Sequence, residues 1–231
     1  MDRFDRAHDD LVRWRRSRDE LATSRSGDSA FESAARAVDS AFKAEVLEFR
    51  IRRVLNAHVL NEVELEHVDP QKTPTGQHMW DFDWWLTEST MRKLHGGVDA
   101  LAQLLNVVLG CGVGVDDPKH AKEVADAVCS SIGADSDLCV AIRNLLGASE
   151  FRDLAAFVNH VKHQGFPERR AAGFPSADDR ATTIGRFCQA KAVFGEWSPR
   201  DIAVIIDGTR CHLLHMVEAA VAVAPVPPQT A

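Results

Sequence analysis

The stretch from Trp80 to Leu109 constrains the fold more than any other part of the chain. Leu94, Val98, Leu101 and Leu105 recur at helical spacing, which predicts a long amphipathic helix at the centre of a core. On another face lie Glu88, Arg92, His95, Asp99, Gln103 and Asn106, an almost unbroken polar stripe. A solvated face is normally rich in Lys and Glu, yet the last half of this stripe sets Asp, Gln and Asn among Leu, Val and Ala. Such groups are costly to bury unless hydrogen-bonded, so the stripe either faces water or lines a shared polar site. The second is the expectation here.

A shorter helix, Glu150 to Phe166, gathers Asn159, His160, Lys162 and His163 near its end. Ser149 is the expected N-cap, and Gly165 with Pro167 the expected stop. Phe151, Leu154, Ala155, Val158 and Val161 fall on the side that faces a core. Arg152, Asn159 and His163 fall together on another side, with His160 further round. The plain alternative for that side is a solvated helix end, where Lys162 and His163 suit the negative end of the dipole.

The other segments fit a mainly α-helical bundle. Residues 1–27 read as a charged helix, with Leu11, Trp14 and Leu21 as a thin apolar seam, followed by a linker. Residues 28–223 read as one helical domain and 224–231 as a disordered tail. Within the domain a helix is expected from Ser29 to His58, a loop from Asn61 to Met79, and a helix opened by Asp117 and Pro118 that Gly133 closes. A nearly all-apolar, buried helix follows from Asp137 to Leu146. Loop arginines Arg169 and Arg170 come next, then an irregular or hairpin segment near 180–197, and a last helix from Ser198-Pro199 to Val223. The two arginines are candidate phosphate ligands, with exposed loop residues as the plainer alternative.

At 231 residues the chain is long enough for one sizeable core, and 45% hydrophobic with 26% charged residues indicates a globular protein. A formal charge of -7 argues against broad, salt-driven nucleic-acid binding but leaves room for a local basic pocket. The five cysteines are scattered and no CxxC occurs, which points to reduced structural thiols and a cytoplasmic protein. The charged amino end does not resemble a signal peptide, and no apolar run is long enough to span a membrane.

Three small motifs carry other chemistry. Gly110-x-Gly112-x-Gly114, after an apolar run, resembles the first motif of Rossmann-like methyltransferases, which makes an S-adenosylmethionine-dependent enzyme one alternative. A helix C-cap followed by a loop explains the same glycines more simply. His160/His163 and His212/His215 share HxxH spacing, a pattern that two facing helices use to hold zinc, although unrelated histidine pairs are the simpler reading. Glu64 and His67 form one ExxH with no second copy, and no metal is expected there.

The stretch Leu94-His95 through Asp99, Gln103 and Asn106, together with Phe151 to His163 ending in VNHVKH, resembles the HEPN superfamily of helical bundles. The likeness covers about a third of the chain. HEPN ribonucleases carry an Arg, often followed by Asn, then a His near the end of the later helix. Asn159 and His163 stand in the matching places, and Val158 stands where the arginine would be. The resemblance implies catalytic positions at His163, Asn159, Lys162 and Asp99, and ligand contacts at Gln103, Asn106, His160, Arg169 and Arg170. It also implies a homodimer, RNA or nucleotide as ligand, no cofactor and, for a toxin component, an antitoxin partner. Lacking the arginine, the chain is expected to be a binding module with a degenerate ribonuclease motif. The alternative is a metal-independent ribonuclease using His163 as general acid or base.

Overall fold

The structure is a computed structural model that describes residues 3, 6, 7, 9–11, 13, 14, 76–111, 113, 121–171 and 182–223. The expected helix from Ser29 to His58, the Glu64/His67 pair, the Asp117-Pro118 cap and the tail 224–231 lie outside these residues.

Five helices and four short strands carry the described body: α1 (Gly76–Val108), α2 (Ala121–Ile132), α3 (Asp137–Gly147), α4 (Ser149–Gln164), β1 (Arg169–Ala171), β2 (Thr182–Ile184), β3 (Phe187–Gln189), β4 (Ala192–Phe194) and α5 (Pro199–Val221). The fold is mainly α, as the helical periodicities require. Leu94, Val98, Leu101 and Leu105 are all buried, which puts α1 at the centre of the core. The helix starts earlier than expected, since Gly76 to Met79 belong to it rather than to a loop. Ile202, Ile205, Ile206, Leu213, Met216 and Val217 likewise form the buried stripe of α5. That helix opens with a full capping box: Ser198 accepts from the Asp201 backbone N–H, and Asp201 accepts from the Ser198 N–H.

Helix α3 is less buried than its composition suggested. Leu138, Cys139, Ile142 and Leu145 face inward, while Val140 is exposed, because one face of the helix is enough to cover the body. Cys129 of α2 and Cys139 of α3 form a disulfide with Cα atoms 5.2 Å apart, which overturns the expectation of five free thiols. The turn between the helices brings the two sulfurs together across Gly133, a geometry no cysteine spacing motif announces.

The amino-terminal helical segment joins the same core. Ala7, Leu11 and Trp14 are buried, the Trp14 indole donates to the Val223 carbonyl at 2.6 Å, and Arg3 forks onto the Glu218 carboxylate at 2.8 and 2.7 Å. Its thin apolar seam is therefore used against the end of α5.

Two antiparallel ribbons pack beyond the helices: β1 with β2, pairing Arg170 with Thr183, and β3 with β4, pairing Cys188 with Val193. The segment near 180–197 is thus a hairpin, and the loop expected after Phe166 contains strand β1. A bridge between Ile184 and Trp197 ties the ribbons to the start of α5.

Helix α5 closely approaches α4 at Gly208, where an added Cβ would lie 2.6 Å from Cγ of Glu150. Only a residue without a side chain fits there while Glu150 stays in place. Gly208→Ala should therefore destabilise the fold by about 1–3 kcal/mol, and the penalty should shrink in a Glu150→Ala background. Thermal unfolding of the four chains measures this coupling, and strictly additive effects would contradict the contact.

The Arg3 hydrogen bond holds the Glu218 carboxyl below its ordinary range. A depressed acid adds stability that is present above its unfolded pKa and lost as pH falls through the folded value. The Tm difference between the natural chain and Glu218→Gln should accordingly be small, and should vanish on acidification from about pH 6 to about pH 3.

Candidate functional site

The polar stripe of α1 is mostly satisfied by its own neighbours. Arg92 bonds to Glu88 at 2.6 Å, and Nδ1 of His95 lies 3.2 Å from Asp99. The His95 ring also stacks on Phe151 of α4, with centroids 6.0 Å apart. Asn106 is buried and uses its whole amide on the loop beyond the helix. Its Nδ2 donates to the Val113 carbonyl at 2.7 Å, and its Oδ1 accepts from the Val113 N–H at 3.1 Å. Asn106 is thus a loop clasp rather than a ligand contact. Gln103 is half-buried and its Oε1 has no hydrogen-bond partner among the described residues.

The same clasp accounts for the glycine-rich stretch. Helix α1 runs to Val108, Gly110 takes a left-handed φ of 63°, and the Cys111 N–H reaches back to the Asn106 carbonyl at 3.0 Å. This is the long bond of a Schellman cap. No strand precedes the glycines, so the methyltransferase reading loses the strand–turn geometry it needs.

Helix α4 begins one residue earlier than the sequence implied. Ala148 occupies the N-cap without a side-chain bond, and Ser149 instead donates to Glu150 at 3.0 Å. Bonds from the helix's first turn and from Ser149 hold the Glu150 carboxyl low. Gly165 ends the helix with φ 87°.

Both sides of this helix are used. Phe151, Leu154, Val158 and Val161 are buried as expected, with Ala155 half-buried; Phe157 and His160 are buried as well. Phe157 meets Trp84, Phe187 and Trp197, all at 6.1 Å. Nδ1 of His160 lies 2.7 Å from the Cys188 carbonyl, and its ring packs 5.2 Å from Phe187. His160 therefore pins the β3–β4 hairpin to α4 through its Nδ1.

The ring contacts also fix the relative direction of α1 and α4. His95 meets Phe151, whereas Trp84 meets Phe157 and, at 5.8 Å, Phe166. The helices are antiparallel. From Phe151 to His163 is roughly 18 Å along the axis, and Asp99 lies a further turn away in the opposite direction. Within one chain, Asp99, Gln103 and Asn106 are at one end of the pair and Asn159, Lys162 and His163 at the other. The common polar site expected from the two helices is not assembled by this packing.

What remains at the far end is a small exposed group. Lys162 and His163 are exposed, Asn159 is half-buried, and none of the three has a hydrogen bond or ion pair among the described residues. Phe166 follows at 56% exposure, and β1 then carries Arg169 and Arg170 in register with Ile184 and Thr183. Val158, which the sequence resemblance sets where HEPN ribonucleases carry an arginine, is 1% exposed and points into the core.

Among the described residues no group of three or more His, Cys, Asp or Glu could hold a metal ion. His160 is engaged with the hairpin, while His212 is half-buried near Glu150 and His215 is exposed on α5. A hollow of about 10 Å3 lined by Val98, Leu105, Val128, Ile142, Leu145 and Met216 is apolar and too small for a ligand. No helix among the described residues is long and apolar enough to cross a membrane. No family model matches the chain, and neither does any curated protein or solved structure.

Removing the Asn106 amide leaves the Val113 N–H and carbonyl without their partner. Asn106→Ala should cost about 1–3 kcal/mol in chemical unfolding, with no effect on any ligand bound at the His163 end. A loss of such binding without a loss of stability would return Asn106 to a binding role.

Proposed function

We propose that this protein is a helical module that binds RNA or nucleotides through the carboxyl-terminal end of α4, without cleaving them. The observation that carries this reading is the group Asn159, Lys162 and His163, the last two exposed, whose side chains have no hydrogen bond or ion pair among the described residues, whereas those of Asn106 and His160 are engaged. An amide, an ammonium and an imidazole on one turn supply hydrogen bonds and positive charge suited to phosphate oxygens and base edges. The following strand adds Arg169 and Arg170 to the same stretch of chain.

Two observations weigh against catalysis. The place where HEPN ribonucleases carry their arginine is held by Val158, inside the core. Asp99, the group expected to orient His163, pairs with His95 at the other end of α1. With Asp99 engaged elsewhere, the exposed His163 imidazole has no partner among the described residues to fix its tautomer for proton transfer.

The test is incubation of the purified protein with total RNA in the absence of metal, scored for retention and for chain breaks. Retained, intact RNA is expected, with binding that weakens as salt rises and falls at least several-fold in a Lys162→Gln/His163→Ala chain. RNA cut by the natural chain and spared by His163→Ala would replace this reading with the ribonuclease. Absence of retention at low salt would remove RNA as the ligand.

A further inference from the structure

We propose that Phe166 is a stacking platform for an unpaired base, so that the strand recognised at this end of α4 is single-stranded RNA. The inference rests on the reading above and narrows its ligand class.

Phe166 stands at the surface end of a continuous run of ring contacts. It meets Trp84, Trp84 meets Phe157, and Phe157 meets Phe187 and Trp197 in the interior. The inner members of that run are buried, and Phe166 alone among them is 56% exposed. Its planes cross that of Trp84 at 79°, an edge-to-face contact. In such a contact the two rings do not stack face to face, and at 56% exposure much of the Phe166 ring is open to solvent. The position is also held from both sides. Gly165 turns the chain out of the helix in a left-handed conformation, and Pro167 is buried immediately after.

The neighbours supply the complementary charge. Lys162 and His163 occupy the last turn before Gly165, both exposed, within reach of the backbone of a strand whose base lies on Phe166. Base faces are accessible in unpaired strands and hidden in a duplex. The formal charge of -7 matters as well: with little long-range attraction from the whole chain, a few local cations need a second, uncharged contribution, and stacking provides one.

Fluorescence anisotropy with a labelled oligouridine, an abasic ribose-phosphate oligomer of the same length and an RNA duplex separates the contributions. The oligouridine should bind more tightly than the other two. Phe166→Ala should weaken it by about tenfold, and Phe166→Tyr should restore it. Lys162→Gln should weaken the oligouridine and the abasic oligomer alike. Phe166→Ala also removes the edge contact with Trp84 and is expected to lower the Tm, so binding is read at a temperature where both variants are folded, and the tyrosine chain, which keeps that contact, controls for any loss of folding. Equal affinity for oligouridine and the abasic oligomer, or natural affinity in Phe166→Ala, overturns the stacking platform and leaves the charged surface standing. Binding of none of the three probes overturns both readings together.

Discussion

The antiparallel packing of α1 on α4, locked by ring contacts at both ends, is the constraint on which the rest of the structure depends. His95 on Phe151 sets one end, and Trp84 against Phe157 and Phe166 sets the other. Such contacts add a preferred geometry to the area they bury, so they fix direction and register as well as proximity. Once the direction is set, the polar groups of the two helices are sorted to opposite ends. The hairpin is then anchored on the remaining side of α4 through His160 and the Cys188 carbonyl.

This sorting explains why polar groups that look alike along the chain do different work. Along α1 the stripe closes on itself: Glu88 with Arg92, His95 with Asp99, and Asn106 with the Val113 backbone. For the buried Asn106 amide, that pairing avoids the cost of an unsatisfied polar group in the core. At the end of α4 the hairpin covers His160 and leaves Lys162 and His163 outside.

The features legible in the chain were those set by local spacing. The buried faces of α1 and α5, the left-handed glycine after α4 and the Ser198 capping box all follow from residues within a few positions of one another. What the spacing missed was supplied from far along the chain. Phe157 is buried because β3 and the segment before α5 bring Phe187 and Trp197 against it, and Phe187 also covers His160, a second wall that a single apolar stripe does not reveal. Asn106 read as a site residue because nothing in its own helix shows that the loop returns to it. Of the candidate site, only the Asn159–His163 turn was visible as a unit. The partner carboxylate assigned to it, Asp99, depended on a helix direction that periodicity leaves open.

The Cys129–Cys139 bond closes the residues between α2 and α3 into a small covalent ring. A single peptide bond cut inside that ring leaves the polypeptide in one piece, with its two fragments tethered through sulfur until a reductant is added. Gly133 to Asp135, the exposed turn at the middle of the ring, is thereby a place where the main chain can be opened without parting the halves of the molecule.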